Sequence, residues 1–297
     1  VKKRIYGVLK KWPDYQAISD LTLNFLLKQR LKLLILYLAA YLNITKIQKN
    51  NLKVTKNLKN TKKNKPIVLF ATGPGADKTM NLFAKNKKYS DLYEIAVVNW
   101  FYKSIFAKEI KPNYYFISDP VFFSSNNDGL RDYLTQNEKT ILTIPFTSKI
   151  DGLKNNINYI NTLTYFKKRK NINPLKANLF PSSVVIHAIT YLNYLGYYPI
   201  YVSGLDVSYN RSFMVNEINE LILKKNELYG KHIKDHDFER PINLSNREIT
   251  PRNMSEVLIN DAIMLNDLKK LSSLGVVNIG GDFTNDSFPR ASLFLKT

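Results

Sequence analysis

The stretch Pro66-Ile-Val-Leu-Phe-Ala-Thr-Gly-Pro-Gly75 constrains the fold most tightly. Five apolar residues, Ile67 to Ala71, are cut off by Thr72-Gly73-Pro74-Gly75. A strand with no polar alternation is buried on both faces, as the strands of a parallel sheet are. Glycine and proline in succession then end it in a tight loop. Open parallel sheets bind their ligands outside the carboxyl ends of their strands, so this loop is the first candidate contact point. Glycine lets backbone approach a ligand closely, and the start of a following helix would favour an anion. The loop is neither G-x-G-x-x-G nor a Walker A, because no Gly-Lys-Ser/Thr ending follows.

The pattern recurs along the chain. Lys78 to Ala84 reads as a short helix, and Ile95-Ala-Val-Val-Asn99 as a second buried strand followed by Trp100-Phe101-Tyr102. Asn99 and its aromatics suit a pocket wall that grips and stacks a base; they equally suit a capping Asn with core aromatics. Tyr114 to Ser118 is a third strand and ends at Asp119-Pro120. Ile141 to Ile144 and Ile157 to Ile160 are further strands. Ser182 and Ser183 precede an apolar helix, Val184 to Leu195, that Gly196 closes. His187 on that helix reads as a packing histidine. Pro199 to Ser203 is another strand and leads into Gly204-Leu205-Asp206, where Asp206 is placed to grip a ligand hydroxyl or amine. Residues 210–253 contain no long apolar run and read as a mobile lid. Met254 to Leu271 reads as a long helix and Gly275 to Ile279 as a last strand. The expected fold is α/β and Rossmann-like, a mostly parallel sheet with helices on both faces.

Charge divides the chain. The whole carries +20, but the first 65 residues hold 16 Lys or Arg against only Asp14 and Asp20. Their net is therefore +14, which leaves +6 for residues 66–297. The expected organisation is thus a basic, leucine-rich helical appendage and linker (1–65) before a Rossmann-like domain (66–297). Within the appendage, Leu33 to Leu42 gives ten uninterrupted apolar residues, short of the ~20 that span a bilayer. Lys28, Arg30 and Lys32 among leucines suit a helix lying on an anionic membrane face, or one packed on the body. No nucleic-acid motif accompanies the charge. Residues 46–65, rich in Lys and Asn, read as a linker with some helix. The absence of cysteine excludes disulfides, thiolate metal sites and a cysteine nucleophile.

Taken together, these motifs resemble the bacterial sialyltransferases of glycosyltransferase family 42 and the related Rossmann-like domain of flagellin-glycosylating proteins. The likeness covers Pro66 to Asp206, with weaker matching to Ile279. Thr72-Gly73-Pro74-Gly75 stands where the family has an Asn-Gly-Pro-Ser-like loop, and Asn99-Trp100-Phe101-Tyr102 where it has Asn-Gln-Phe-Tyr. Asp119-Pro120 takes the place of Asn-Pro, and Pro181-Ser182-Ser183 that of Thr-Ser-Gly. Tyr201-Val-Ser-Gly-Leu-Asp206 matches Tyr-Leu-Ser-Gly-Ile-Asp.

The resemblance implies a metal-independent glycosyltransferase that moves a sialic-acid-like nonulosonate from a CMP-activated donor to a lipopolysaccharide, capsule or similar acceptor. It implies no cofactor, while zero cysteine and the basic, leucine-rich appendage fit the bacterial cytoplasm, on the inner membrane face. The donor site would comprise Thr72, Gly73, Pro74, Asn99, Trp100, Asp119, Ser182, Ser183, Gly204, Asp206 and Tyr209. Thr250-Pro251-Arg252 stands where the family places its catalytic histidine. The base is therefore sought at His236, flanked by Asp235 and Asp237, or at His232. Arg211 or Arg240 would neutralise the departing phosphate. Three other readings stay open: a metal-dependent transferase using Asp235 and Asp237, a non-catalytic capsule-assembly protein, and a pyrophosphokinase branch that shares the fold.

Overall fold

The computed structural model describes residues 46–123, 127–150, 152–162, 173–175, 183–207, 213–215, 221–224, 239–241, 264–280 and 287–291. The basic, leucine-rich part of the appendage before Lys46 lies outside them, as do 254–263 of the long helix. Most of the lid does too.

Each buried apolar run becomes a strand. β1 (Ile67–Phe70), β2 (Glu94–Val98), β3 (Tyr114–Phe116), β4 (Ile141–Pro145), β5 (Ile157–Ile160), β6 (Ile200–Ser203) and β10 (Val276–Asn278) form one seven-stranded sheet. The order is β10-β6-β1-β2-β3-β4-β5 and every pairing is parallel. The chain winds from β1 outward to β5, then returns to the other side of β1 with β6. The switch point therefore falls between β1 and β6.

Because strand side chains alternate, the sheet faces two separate apolar layers. Val68, Phe70, Ile95, Val97, Tyr115, Leu142 and Ile144 pack beneath α2 (Asp77–Lys85), α3 (Lys87–Leu92) and α4 (Asp128–Gln136). Ile67, Leu69, Ala96, Val98, Phe116, Ile200 and Val202 face α5 (Val184–Leu195) and Leu268 of a helical stretch at 264–270. α2 buries Thr79, Met80 and Phe83 on one face, with Asp77 in its first turn and Lys85 in its last, which suits the helix dipole. α5 is apolar nearly all round because it is covered on most sides, and Gly196 ends it at φ 96°.

The Lys/Asn-rich run, read as a linker with some helix, holds its helix in its first half. Lys46–Lys56 is a helix, α1, against the outer strand β5. Thr55 is fully buried there; its hydroxyl donates to the Tyr159 carbonyl (2.8 Å) and accepts from the Tyr159 amide (2.9 Å). Residues 60–64 then dock on the end of α5, with the Asn60, Lys62 and Asn64 amides donating to the Tyr194, Leu195 and Gly196 carbonyls. Within the stretch read as a lid, three short strands are described. Phe213–Val215 (β7), Leu221–Lys224 (β8) and Glu239–Pro241 (β9) form a small antiparallel sheet, whose short strands fall below the length at which alternation is legible.

At the amino edge of the large sheet, Glu94 accepts from Lys62 (3.0 Å) and from the Tyr197 hydroxyl, with Lys65 at 3.9 Å. The Tyr197 and Tyr114 hydroxyls lie 3.1 Å apart. Burial pushes both phenols above their ordinary range, so both stay neutral.

Candidate functional site: the carboxyl edge of the sheet

Two loops meet at the switch point. The first follows β1 as Thr72 to Gly75 and enters a 3-10 turn, Pro74–Ala76, ahead of α2. The second follows β6 as Gly204, Leu205 and Asp206. They are fastened by the Gly73 amide donating to the Gly204 carbonyl (2.9 Å) and the Gly75 amide donating to Asp206 Oδ2 (3.0 Å). Neither glycine has an alternative. A Cβ on Gly73 would stand 2.4 Å from both Asp206 Oδ2 and the Gly204 carbonyl oxygen. Gly204 has φ +79°, and a Cβ there would meet Ala76 Cβ at 2.7 Å.

Asp206 is 5% exposed. Burial pushes its carboxyl up to about 6, partly offset by the Gly75 amide bond that favours the charged form. Its other oxygen, Oδ1, is shielded and has no hydrogen-bond partner among the described residues. The next residue, Val207, sits at φ 47°, a conformation that a β-branched side chain strongly disfavours.

On the other flank of β1, β2 ends in a second strained residue. Asn99 has φ 45°, and its Oδ1 is also buried, without a partner among the described residues. Tyr115 props this turn from below: its hydroxyl donates to the Asn99 carbonyl and accepts from the Tyr102 amide (3.1 Å). Trp100 is half-buried, 4.4 Å from the Phe122 ring, with Lys103 Nζ 4.4 Å above its own ring. Burial lowers the pKa of that ammonium. Phe101 is fully buried. The aromatic run thus divides between the core (Phe101) and the edge (Trp100 and Tyr102).

Of the residues expected at a donor site, Thr72, Gly73, Pro74, Asn99, Trp100, Asp119, Ser183, Gly204 and Asp206 all lie at the carboxyl edge. Thr72 is half-buried and Asp119 exposed. Ser183 caps α5, its Oγ accepting from the Val185 amide (3.2 Å). Ser182, Tyr209, Arg211, His232 and His236 lie outside the described residues, and Arg240 lies in β9. His187 is buried in α5, where desolvation lowers its pKa to about 4, so it is neutral at pH 7. Sequence reading missed Tyr115 and Lys103 as supports of the Asn99 turn. It also missed the strain at Val207, for which no residue-type signal exists.

The family model described as 6-hydroxymethylpterin diphosphokinase MptE-like matches residues 39–212. A solved structure, the MAf glycosyltransferase from Magnetospirillum magneticum AMB-1, is similar at 11% identity and a TM-score of 0.44. That likeness covers 82% of this chain and 38% of the solved one, so the chain spans well under half of its length. No curated protein matches.

Proposed function

Because the chain belongs to the 6-hydroxymethylpterin diphosphokinase MptE-like family, we propose that it is a nucleotide-dependent transferase whose donor enters at the switch point between β1 and β6. The observation that carries this reading is the fastened pair of loops. Two glycines bring backbone and the Asp206 carboxylate together where an open parallel sheet takes its ligand. Two disfavoured backbone conformations, at Asn99 and Val207, stand on that same edge.

In finer terms, the transferred group is a sialic-acid-like nonulosonate, carried by CMP and passed to a hydroxyl of a lipopolysaccharide, capsule or related glycan. The phosphate that leaves is already acidic, so the protein must chiefly position the donor and take a proton from the acceptor. His236 takes that proton, or His232 in its place, and Arg211 or Arg240 meets the departing phosphate. An acceptor anchored in a membrane accounts for the basic leucine-rich segment, which places the protein on the inner face of a bacterial membrane.

The family description favours a second reading, diphosphoryl transfer from a nucleoside triphosphate. Calorimetric titration separates the two. Tight binding of CMP without metal supports glycosyl transfer, whereas preference for ATP with magnesium promotes the second reading. Preference for uridine diphosphate with manganese would turn attention to Asp235 and Asp237. CMP binding without turnover of any CMP-sugar would favour the assembly protein. His236→Ala, in a folded variant, is expected to cut turnover about a hundredfold; unchanged turnover excludes it as the base.

A further inference from the structure

We propose that the switch-point crevice grips the nucleoside end of the donor, read by Asp206 and Asn99, while the phosphate lies away from the loop that follows β1. This rests on the nucleotide reading above and adds the direction in which the nucleotide lies.

An ionised phosphate carries only acceptors, and a loop that cradles one needs free amides or cations. Past Thr72, the amides of the loop after β1 are taken up within the fold. Gly73 donates to the Gly204 carbonyl, Gly75 to Asp206 Oδ2, Ala76 to the Gly73 carbonyl and Asp77 to the Pro74 carbonyl. Pro74 has no amide hydrogen. The start of α2 is also already supplied with negative charge, from Asp77 in its first turn and from Asp206 on Gly75. A phosphate here would meet carboxylates in place of donors.

At its buried positions without a partner among the described residues, the edge offers acceptors. Asp206 Oδ1 and Asn99 Oδ1 are both buried and have no partner among the described residues, and they follow the two strands that flank β1. With strands about 4.8 Å apart, those two strands are roughly 10 Å from one another. A nucleoside bears donors at both ends, the ribose hydroxyls and, in cytosine or adenine, an exocyclic amine. Its donors complement this pair of acceptors, and a phosphate's oxygens do not. The shared chemistry at Asp206 is a neutral hydrogen-bond donor, from either the ribose or the base.

The test is calorimetry of the whole chain and of Asp206→Asn with cytidine, CMP, adenosine, ATP and inorganic pyrophosphate. The asparagine can still accept from Gly75, but it places an amide N–H where the carboxylate had an acceptor. The expected result is an equal loss for a nucleoside and its nucleotide, about 10- to 100-fold, with pyrophosphate unchanged. Removing the matching ligand donor (2′-deoxycytidine for the ribose, uridine for the amine) should weaken binding to the natural chain but not weaken the variant further. Whichever arm shows this non-additivity identifies the donor.

Pyrophosphate binding that strengthens in the variant while cytidine and adenosine hold would put the phosphate on the loop and overturn the inference. A variant with unchanged affinity for every probe overturns it as well. Should Asp206→Asn fail to fold, the natural chain still decides. Cytidine or adenosine binding there supports the inference; binding of pyrophosphate with no nucleoside binding overturns it. A natural chain that binds no nucleotide removes the proposed function, and this inference with it.

Discussion

At the amino edge of the seven-stranded sheet, Glu94 sits among two lysines and a tyrosine hydroxyl, and its charge is answered. At the carboxyl edge, Asp206 is more deeply buried and, among the described residues, has one amide for a partner and keeps an oxygen with none. Both edges belong to the same strands and the same apolar layers. The difference is in what each edge is organised to do. A paired, half-buried network ties β2, β3, the turn before β6 and the segment before β1 into a fixed frame. A buried carboxylate with no cation beside it lowers stability, which is the mark of a candidate functional position.

Four substitutions would sharpen or break that contrast. The largest effect is expected from Gly73→Ala, whose Cβ cannot fit between Asp206 and Gly204. Nucleotide affinity should fall on the order of a hundredfold as the two loops separate, with a stability loss of about 1–3 kcal/mol. An affinity near normal by calorimetry would mean that the fastened loops are scaffolding only.

Next comes Glu94→Ala, which strands Lys62 and the Tyr197 hydroxyl. Chemical denaturation should show a loss of about 2–3 kcal/mol while nucleotide affinity stays put. A matching loss of affinity would merge the two edges into one functional unit.

Asp206→Asn should act in the opposite sense on stability. The folded carboxyl titrates near 6 against an ordinary 3.8, so burial disfavours its charged form. Below pH 4 both folded and unfolded states hold the proton and there is no penalty. Between pH 4 and 6 only the folded state keeps it, so this group's contribution falls as pH rises, by about 3 kcal/mol at most. Asn removes the term. The variant should therefore gain stability on the natural chain across pH 4–6 and keep the gain at pH 7.5. Parallel pH profiles of melting temperature for the two proteins would contradict this.

The smallest effect is that of Ser183→Ala, which removes the cap of α5 and should cost about 1 kcal/mol in a urea melt.

Much of the frame was legible because its signals are local. Ile67–Phe70, Ile157–Ile160 and Val184–Leu195 announce themselves by short apolar runs stopped by turn or cap residues, and Gly196 needs only its own φ to end a helix. The MptE-like family match bears on the pyrophosphokinase branch that the sequence left open, and the sialyltransferase likeness stays a matter of motifs. Some helix was expected in residues 46–65, but local patterns did not yield the docking of α1 on β5. That helix meets the sheet through Thr55 and Asn51, polar residues that an apolar periodicity passes over. Nor could they yield the contact between Gly75 and Asp206, which lie 131 residues apart. The positive φ of Val207 runs against its residue type; only the closure of the surrounding loops explains it.

The two hydrogen bonds between Thr55 and Tyr159 have a practical consequence. β5 is the last strand of the sheet, and a bare last strand is a template for pairing with another molecule. α1 occupies that template with a side chain that answers both backbone groups of Tyr159. A truncation meant to remove the basic leader for a vesicle-binding assay should therefore be cut before Lys46. Cut at residue 65, the protein would lose its guard against edge-to-edge aggregation, and its recovery from vesicles would report insolubility in place of lipid affinity.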